Sequence, residues 1–469
     1  MFEARLTMAT TSADNGLPRE TAGGPPSAGR DGGDGGGEWS WFAPGEGERS
    51  AARSSRPDPD PGSGPTPAPA PVTGRRPESG SEPDFPANPG YGKLDPSHDV
   101  ALIRRTLDEI EPISQAVTSY FYALLFVRHP ELRALFPAAM DAQRDRLFRA
   151  LLTAARLIDD SRVLVEYLSH LGRGHRKYGT RPEHYPAVGE CLIDALTRYA
   201  VNSWDEQTEA AWVRAYTAIS QVMIDAAAED ERHAPAWWHA EVVSHEMRTS
   251  DIAVITVRPD HPYPFRAGQY ASVETPWWPK VWRNYSLACA PRPDGLLVFH
   301  VKAVPAGWVS TALVHRARPG DVLRLGSPAG TMTVNHSSDN GLLCLGGSTG
   351  IAPIKALVED VVGHGRARPV EVFYGARSDQ DLYDLESLRE LELRHRWLTV
   401  RPVVEGPADG LVGRLPDAVR QCGPWHSYDG YLSGPPGMIR SGVEALVGSG
   451  IPAHRIRHDS LDGQAAARG

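Results

Sequence analysis

The stretch from Leu342 to Pro353 limits what this chain can become more than any other. Leu342-Leu343-Cys344-Leu345 is apolar at every position, so a strand there has no face to turn to water. It opens directly into Gly346-Gly347-Ser348-Thr349-Gly350-Ile351-Ala352-Pro353 and a helical pattern through Val362. A strand, a glycine turn and a helix N-terminus make a cradle of backbone N–H groups for a phosphate. Further buried runs follow at Val370 to Arg377, at Leu398 to Val404, and at Tyr431-Leu432-Ser433 before Gly434-Pro435. Repeats of this kind imply an α/β, doubly wound parallel sheet.

The rest of the chain obeys other periods. Residues 1–95 hold 17 Gly and 15 Pro, so 32 of 95 positions break regular structure. Such a segment buries too little apolar surface to offset its ordering entropy, and a disordered tail is expected. Trp39-Ser40-Trp41-Phe42 within it has an alternative reading, as a docking segment for an unknown partner.

From Pro96 apolar residues recur at helical spacing. Pro112 reads as the first turn of a helix whose stripe is Ile113, Ala116, Val117, Tyr120, Phe121, Leu124 and Leu125. Four more stripes carry the pattern to Val222, so an all-α domain is expected. After Glu231 the pattern becomes extended: Ile252 to Val257, Gly268 to Val273, Leu297 to Val301 and Val322 to Leu325 read as strands of a small antiparallel barrel. The expected boundaries are therefore 1–95, 96–232, 233–337 and 338–469.

Charge and composition remove several function classes. The formal net charge of -9 leaves no broad basic footprint for nucleic acid or an anionic membrane. No apolar run approaches the roughly 18–20 residues of a membrane span. No export pattern is visible at the N-terminus. The four cysteines are widely spaced, without metal-type spacing, which suits a reducing cytoplasm.

Some residues stand out against these patterns. His175 continues an apolar stripe four residues after Leu171, whereas His170 falls off it. Gln143 heads an apolar helical face. Each has a packing reading beside a ligand reading. In the β block, Arg283 and Tyr285 share one strand face within Arg283-Asn284-Tyr285-Ser286. A flavin needs a cation for its pyrophosphate, an aromatic for its ring plane and small donors at its edge; an ordinary strand with a salt bridge is the alternative. Gly307-Trp308-Val309-Ser310, after His300-Val301-Lys302, opens a helix whose N–H groups suit a pyrophosphate.

Together these motifs resemble a known family. Tyr120-Phe121-Tyr122, His129-Pro130-Glu131-Leu132 and Phe136, then Gln143-Arg144 and Leu147-Phe148, look like the first half of a bacterial globin. His175, Gly179, Pro182-Glu183, Tyr185-Pro186 and Val188-Gly189-Glu190 resemble the proximal stretch of the flavohaemoglobins. Residues 236–335 and 338–469 resemble the FAD and nicotinamide domains of ferredoxin reductases.

The resemblance implies haem b on His175, with Tyr122 and Gln143 as distal donors and Phe136 and Leu147 against the haem. It implies Tyr185 in a proximal hydrogen-bonded triad. It implies FAD on Tyr270, Arg283, Asn284, Tyr285, Ser286, Lys302, Gly307, Val309 and Ser310. NAD(P)H would lie on Gly346 to Pro353, Arg377, Gly434 and Pro435. The implied activity passes electrons from NAD(P)H through FAD to haem, where dioxygen converts nitric oxide to nitrate. The alternatives are a haem reductase or oxidase with little nitric oxide turnover, and a redox or gas sensor.

The chain departs from the family where the triad's glutamate belongs, because Ala227 aligns there. Asp225 and Glu229 lie about 200° round the helix from it, and Asp230 shares its face if the helix continues. Ser433 replaces a common Cys, and His458 stands near the place of the family's flavin-shielding aromatic.

Overall fold

The computed structural model describes residues 96–406 and 410–458, without the side chains of residues 96–97 and 141–145. The expected tail, with its Trp39 to Phe42 cluster, lies outside them. The six main helices of the all-α domain are α1 (Pro96–Ile110), α2 (Ser114–Arg128), α3 (Asp141–Leu157), α4 (Ser161–His175), α5 (Tyr185–Tyr199) and α6 (Glu206–Glu231). Pro112 sits in a short 3-10 turn between α1 and α2 instead of opening α2, which leaves Ile113 42% exposed and off the core. Asp160 and Asp205 cap α4 and α6 by accepting the N–H groups of Val163 at 3.1 Å and Thr208 at 2.8 Å. An ideal Cβ on Gly172 would lie 2.3 Å from the Met223 carbonyl oxygen, so glycine is what lets α4 lie directly on α6.

The second block holds β1 (Trp238–Met247), β2 (Ile252–Pro259), β3 (Tyr270–Glu274), β4 (Trp282–Ser286), β5 (Leu297–Lys302), α7 (Trp308–His315) and β6 (Val322–Leu325). Its strands run in the order β4-β3-β6-β1-β2-β5, all antiparallel. A bridge between Leu287 and Phe299 joins the two ends into the expected barrel. Strand β1 is absent from the sequence reading. A bulge between Val242 and Ser244 shifts its register there and breaks the alternation that marks a strand.

The third block holds β7 (Gly341–Gly347), α8 (Ile351–His364), β8 (Val370–Ala376), α9 (Leu385–Arg394), β9 (Leu398–Val404), β10 (Leu411–Val412), α10 (Leu415–Cys422), β11 (Tyr428–Ser433), α11 (Pro436–Gly448) and β12 (Ile456–His458). The parallel order is β10-β9-β8-β7-β11-β12. Chain order reverses beside β7, which makes its carboxyl end, next to that of β11, a switch point. Among the described residues no helix is long and apolar enough to cross a membrane.

Candidate functional site

In the helical domain, Tyr122 is buried and meets Phe136 edge-on, with ring centres 5.6 Å apart. Phe126 lies 5.3 Å from Phe136, and Leu147 packs partly buried into the same core. The backbone of Gln143 lies in α3, but its side chain is outside the described set.

His175 is the last residue of α4. Its Nδ1 lies 2.7 Å from the Leu171 carbonyl oxygen, one turn earlier. A neutral ring donates from Nδ1 to that carbonyl and keeps Nε2 as a lone-pair donor. Burial lowers the imidazole pKa, against the raising effect of that bond, and so favours the neutral ring a metal requires. This donor geometry fits haem iron. Among the described residues no three His, Cys, Asp or Glu side chains are placed to hold a bare metal ion.

Tyr185 opens α5 and packs against the cluster of Ala154, Tyr167, Leu168 and Met223. Burial pushes its hydroxyl up to about 12. Its carbonyl, not its phenol, receives Tyr216 at 2.8 Å. Helix α6 does continue past Ala227, so Asp230 shares the face that Met223 turns to α4. Its carboxylate, however, is paired with the buried Arg176. The partner His175 does have is the Leu171 carbonyl.

In the barrel, β3 and β4 bring Tyr270 opposite Ser286, Ala271 opposite Tyr285, Ser272 opposite Asn284 and Val273 opposite Arg283. Tyr285 is packed against the barrel core, and burial raises its pKa. Arg283 donates to the Trp282 carbonyl at 3.0 Å; burial, and then the charge of Arg146, lower its pKa. A half-buried cation in this setting is served by an anion, as a pyrophosphate supplies. The indole N–H of Trp282 beside it is buried without a hydrogen-bond partner among the described residues.

Lys302 is tied to Asp251 at 3.1 Å. Gly307 caps α7, and an ideal Cβ there would strike Ser310 Oγ at 2.4 Å. The Ser310 hydroxyl donates to the Gly307 carbonyl at 3.0 Å and receives the Val304 N–H at 3.3 Å. It is spent on the turn, which leaves the first N–H groups of α7, including those of Val309 and Ser310, for a ligand.

In the third block, the turn of Gly346, Gly347, Ser348, Thr349 and Gly350 lies against the turn after β11. An ideal Cβ on Gly350 would sit 2.2 Å from the Ser433 carbonyl oxygen, and one on Gly347 3.2 Å from Pro435 Cδ. Gly434 holds a φ of 154°. Ile351, Ala352 and Pro353 form the buried first turn of α8, where proline loses no intrahelical bond. Arg377 is exposed just past β8, and the neighbouring Ser378 donates to Asp381 at 2.8 Å. His458 lies in β12 with its backbone paired to Leu432. All four cysteines are free.

Sequence reasoning missed the contacts between blocks. His300 Nδ1 and the Tyr383 hydroxyl share a hydrogen bond of 2.9 Å, and Lys177 donates to Ser272 at 3.2 Å. No local signal marks such pairs, which are 83 and 95 residues apart.

Three family models match the chain: the globin over residues 119–223, the oxidoreductase FAD-binding domain over 239–334 and the oxidoreductase NAD-binding domain over 344–444. A flavohemoprotein of Chromobacterium violaceum is 29% identical over 390 residues, covering 76% of this chain and 96% of that protein. The reductase component of a naphthalene 1,2-dioxygenase system from Pseudomonas putida is 31% identical over 268 residues, covering 55% of this chain and 80% of that protein. The crystal structure of a flavohemoglobin from Malassezia yamatoensis, with bound FAD and heme, matches in fold with a TM-score of 0.64. Its identity is 20%, and the match covers 77% of this chain and 98% of that one. With its haem, FAD and NAD(P)H domains in that order, the chain belongs to the flavohaemoglobin family.

Proposed function

We propose that this chain is a nitric oxide dioxygenase-type oxidoreductase, which uses NAD(P)H and dioxygen to convert nitric oxide to nitrate. The observation that carries the reading is His175, a half-buried imidazole with one nitrogen spent on Leu171 and the other left for iron, in one chain with a complete reductase. When bound, the nicotinamide supplies a hydride, the flavin divides its electrons, and the haem iron takes them singly. The chain's residues do the rest. The turns at Gly346–Gly350 and Gly434-Pro435 hold the dinucleotide, Arg283 and the start of α7 hold the flavin diphosphate, and Tyr285 covers its ring. Tyr122 presents a hydroxyl on the distal side, while Phe136 and Leu147 exclude water.

The test is nitric oxide consumption by the purified chain loaded with haem and FAD. Loss of nitric oxide with formation of nitrate, dependent on both NAD(P)H and dioxygen, is expected. Its absence in a chain whose haem is fully reduced overturns the reading.

A second reading, an NAD(P)H-driven haem reductase or oxidase with little nitric oxide turnover, is favoured by α6. Ala227 offers His175 no carboxylate, and Asp230 is held by Arg176. Under that reading nitric oxide does not divert oxygen uptake into nitrate.

A further inference from the structure

The residues that follow His175 bind the barrel. Arg176 pairs with Asp230 and donates to the Ala234 carbonyl at 2.8 Å, in the linker to β1. Lys177 Nζ donates to Ser272 Oγ on β3 at 3.2 Å and lies 5.4 Å from the ring centre of Trp282 on β4. Its stem passes Gly326, where an ideal Cβ would lie 3.7 Å from Lys177 Cδ and 2.3 Å from Ser272 Oγ. The absence of a side chain at 326 makes room for the Ser272 hydroxyl that receives the lysine.

From the opposite side Lys280, in the loop joining β3 to β4, donates to the Tyr178 carbonyl at 2.9 Å. Lys280 holds a φ of 64°, in the left-handed region that favours glycine. Its N–H bonds the Glu274 carboxylate. Tyr178 and Trp282 meet edge-on at 6.5 Å. Neither lysine is paired with a carboxylate among the described residues. Both reach neutral oxygens across the boundary between globin and barrel. The hairpin that Lys177 reaches, and to which Lys280 belongs, carries Tyr270, Arg283, Tyr285 and Ser286.

We propose that Lys177 and Lys280 are positioning residues for electron transfer into the globin. They clamp the segment after the proximal histidine onto the flavin hairpin and so fix the separation of flavin and haem. This rests on the reading that electrons pass between those groups. Each NAD(P)H hydride brings two electrons. The chain has one haem, so the electrons leave the flavin in turn: the first reduces ferric iron to ferrous, dioxygen and nitric oxide in the proposed reaction return it to ferric, and the second reduces it again, which restores the oxidised flavin and releases its protons to solvent. The lysines neither gain nor lose electrons.

The experiment uses the full chain loaded with haem and FAD, and Lys177→Met, which keeps the stem and removes the donor. Anaerobic stopped-flow with NADH or NADPH reads flavin bleaching and haem reduction separately. Flavin bleaching should be unchanged and haem reduction several-fold slower. Lys177→Arg should restore most of the rate, and Ser272→Ala should reproduce the loss. In the same loaded samples, hydrogen exchange in residues 174–184 and 270–286 should speed up in Lys177→Met and return to wild type in Lys177→Arg. A variant whose haem is reduced as fast as wild type overturns the proposal, as does one whose flavin bleaching slows equally. A wild-type chain whose haem is never reduced by either nucleotide overturns the functional reading and the proposal together.

Discussion

His175 Nδ1 is held 2.7 Å from the Leu171 carbonyl oxygen, within its own helix. That bond fixes the tautomer and ring direction, and its acceptor is a neutral carbonyl where a carboxylate would donate more charge. His175→Ala should therefore lose haem, seen as the disappearance of the Soret band after desalting. His170→Ala should keep it. A His175→Ala protein with an unchanged haem spectrum would refute the assignment.

Ala227 lies one turn from Met223 on the α6 face turned to α4, and Asp230 beyond it is committed to Arg176. Ala227→Glu should supply the missing acid to His175 and Tyr185, lowering the ferric–ferrous potential and raising nitric oxide turnover. An unpaired buried carboxylate would cost several kcal/mol, so the variant stays folded where those residues receive it. A redox titration checks this. A folded variant with unchanged potential and turnover leaves His175 with its Leu171 partner and sinks the idea.

Arg283→Ala removes a cation from the flavin strand. Charge-assisted hydrogen bonds contribute about 1.5–3 kcal/mol, so FAD should bind roughly 10- to 100-fold more weakly. Flavin titration of the apoprotein measures it, and undiminished affinity would assign the pyrophosphate to α7 alone.

Gly350→Ala drives a methyl into the Ser433 carbonyl, since the ideal Cβ is 2.2 Å away. The two nicotinamide turns must part, at a cost of about 1–3 kcal/mol. The KM for NAD(P)H should rise while flavin content stays normal. An unaltered KM and Tm would mean that the turns are not pressed together.

His300 bridges barrel and nicotinamide domain through Tyr383, and burial pushes its pKa down to about 4. Its unfolded value is 6.5, so between those values the unfolded chain binds a proton the folded chain refuses. Its contribution is complete above pH 6.5 and falls as the pH drops toward 4, by on the order of 3 kcal/mol across the window. His300→Gln should flatten the dependence of Tm on pH over that range. An equally steep profile in the variant would place the acid sensitivity elsewhere.

Much of this was legible in the sequence because the causes are local. Leu342 to Pro353 specifies strand, turn and helix through the chemistry of neighbouring residues, and the structure has β7 and α8 there. The period change after Glu231 marks the passage from helices to barrel within a few residues. Ile113 and β1 were misread or missed where local pattern and outcome diverge: a proline-containing turn took the first off the core, and a bulge broke the alternation of the second.

The sequence by itself determined three domains in order, their flavin and nicotinamide motifs, and the one histidine on an apolar stripe. Only the tertiary structure decided what each charged side chain does. Asp230 goes to Arg176, Lys302 to Asp251, Lys177 to Ser272 and His300 to Tyr383. Periodicity reports which face of an element is buried. The choice among several polar partners within reach depends on how separate elements cross, and that is set by packing such as Gly172 on Met223, which no local pattern encodes.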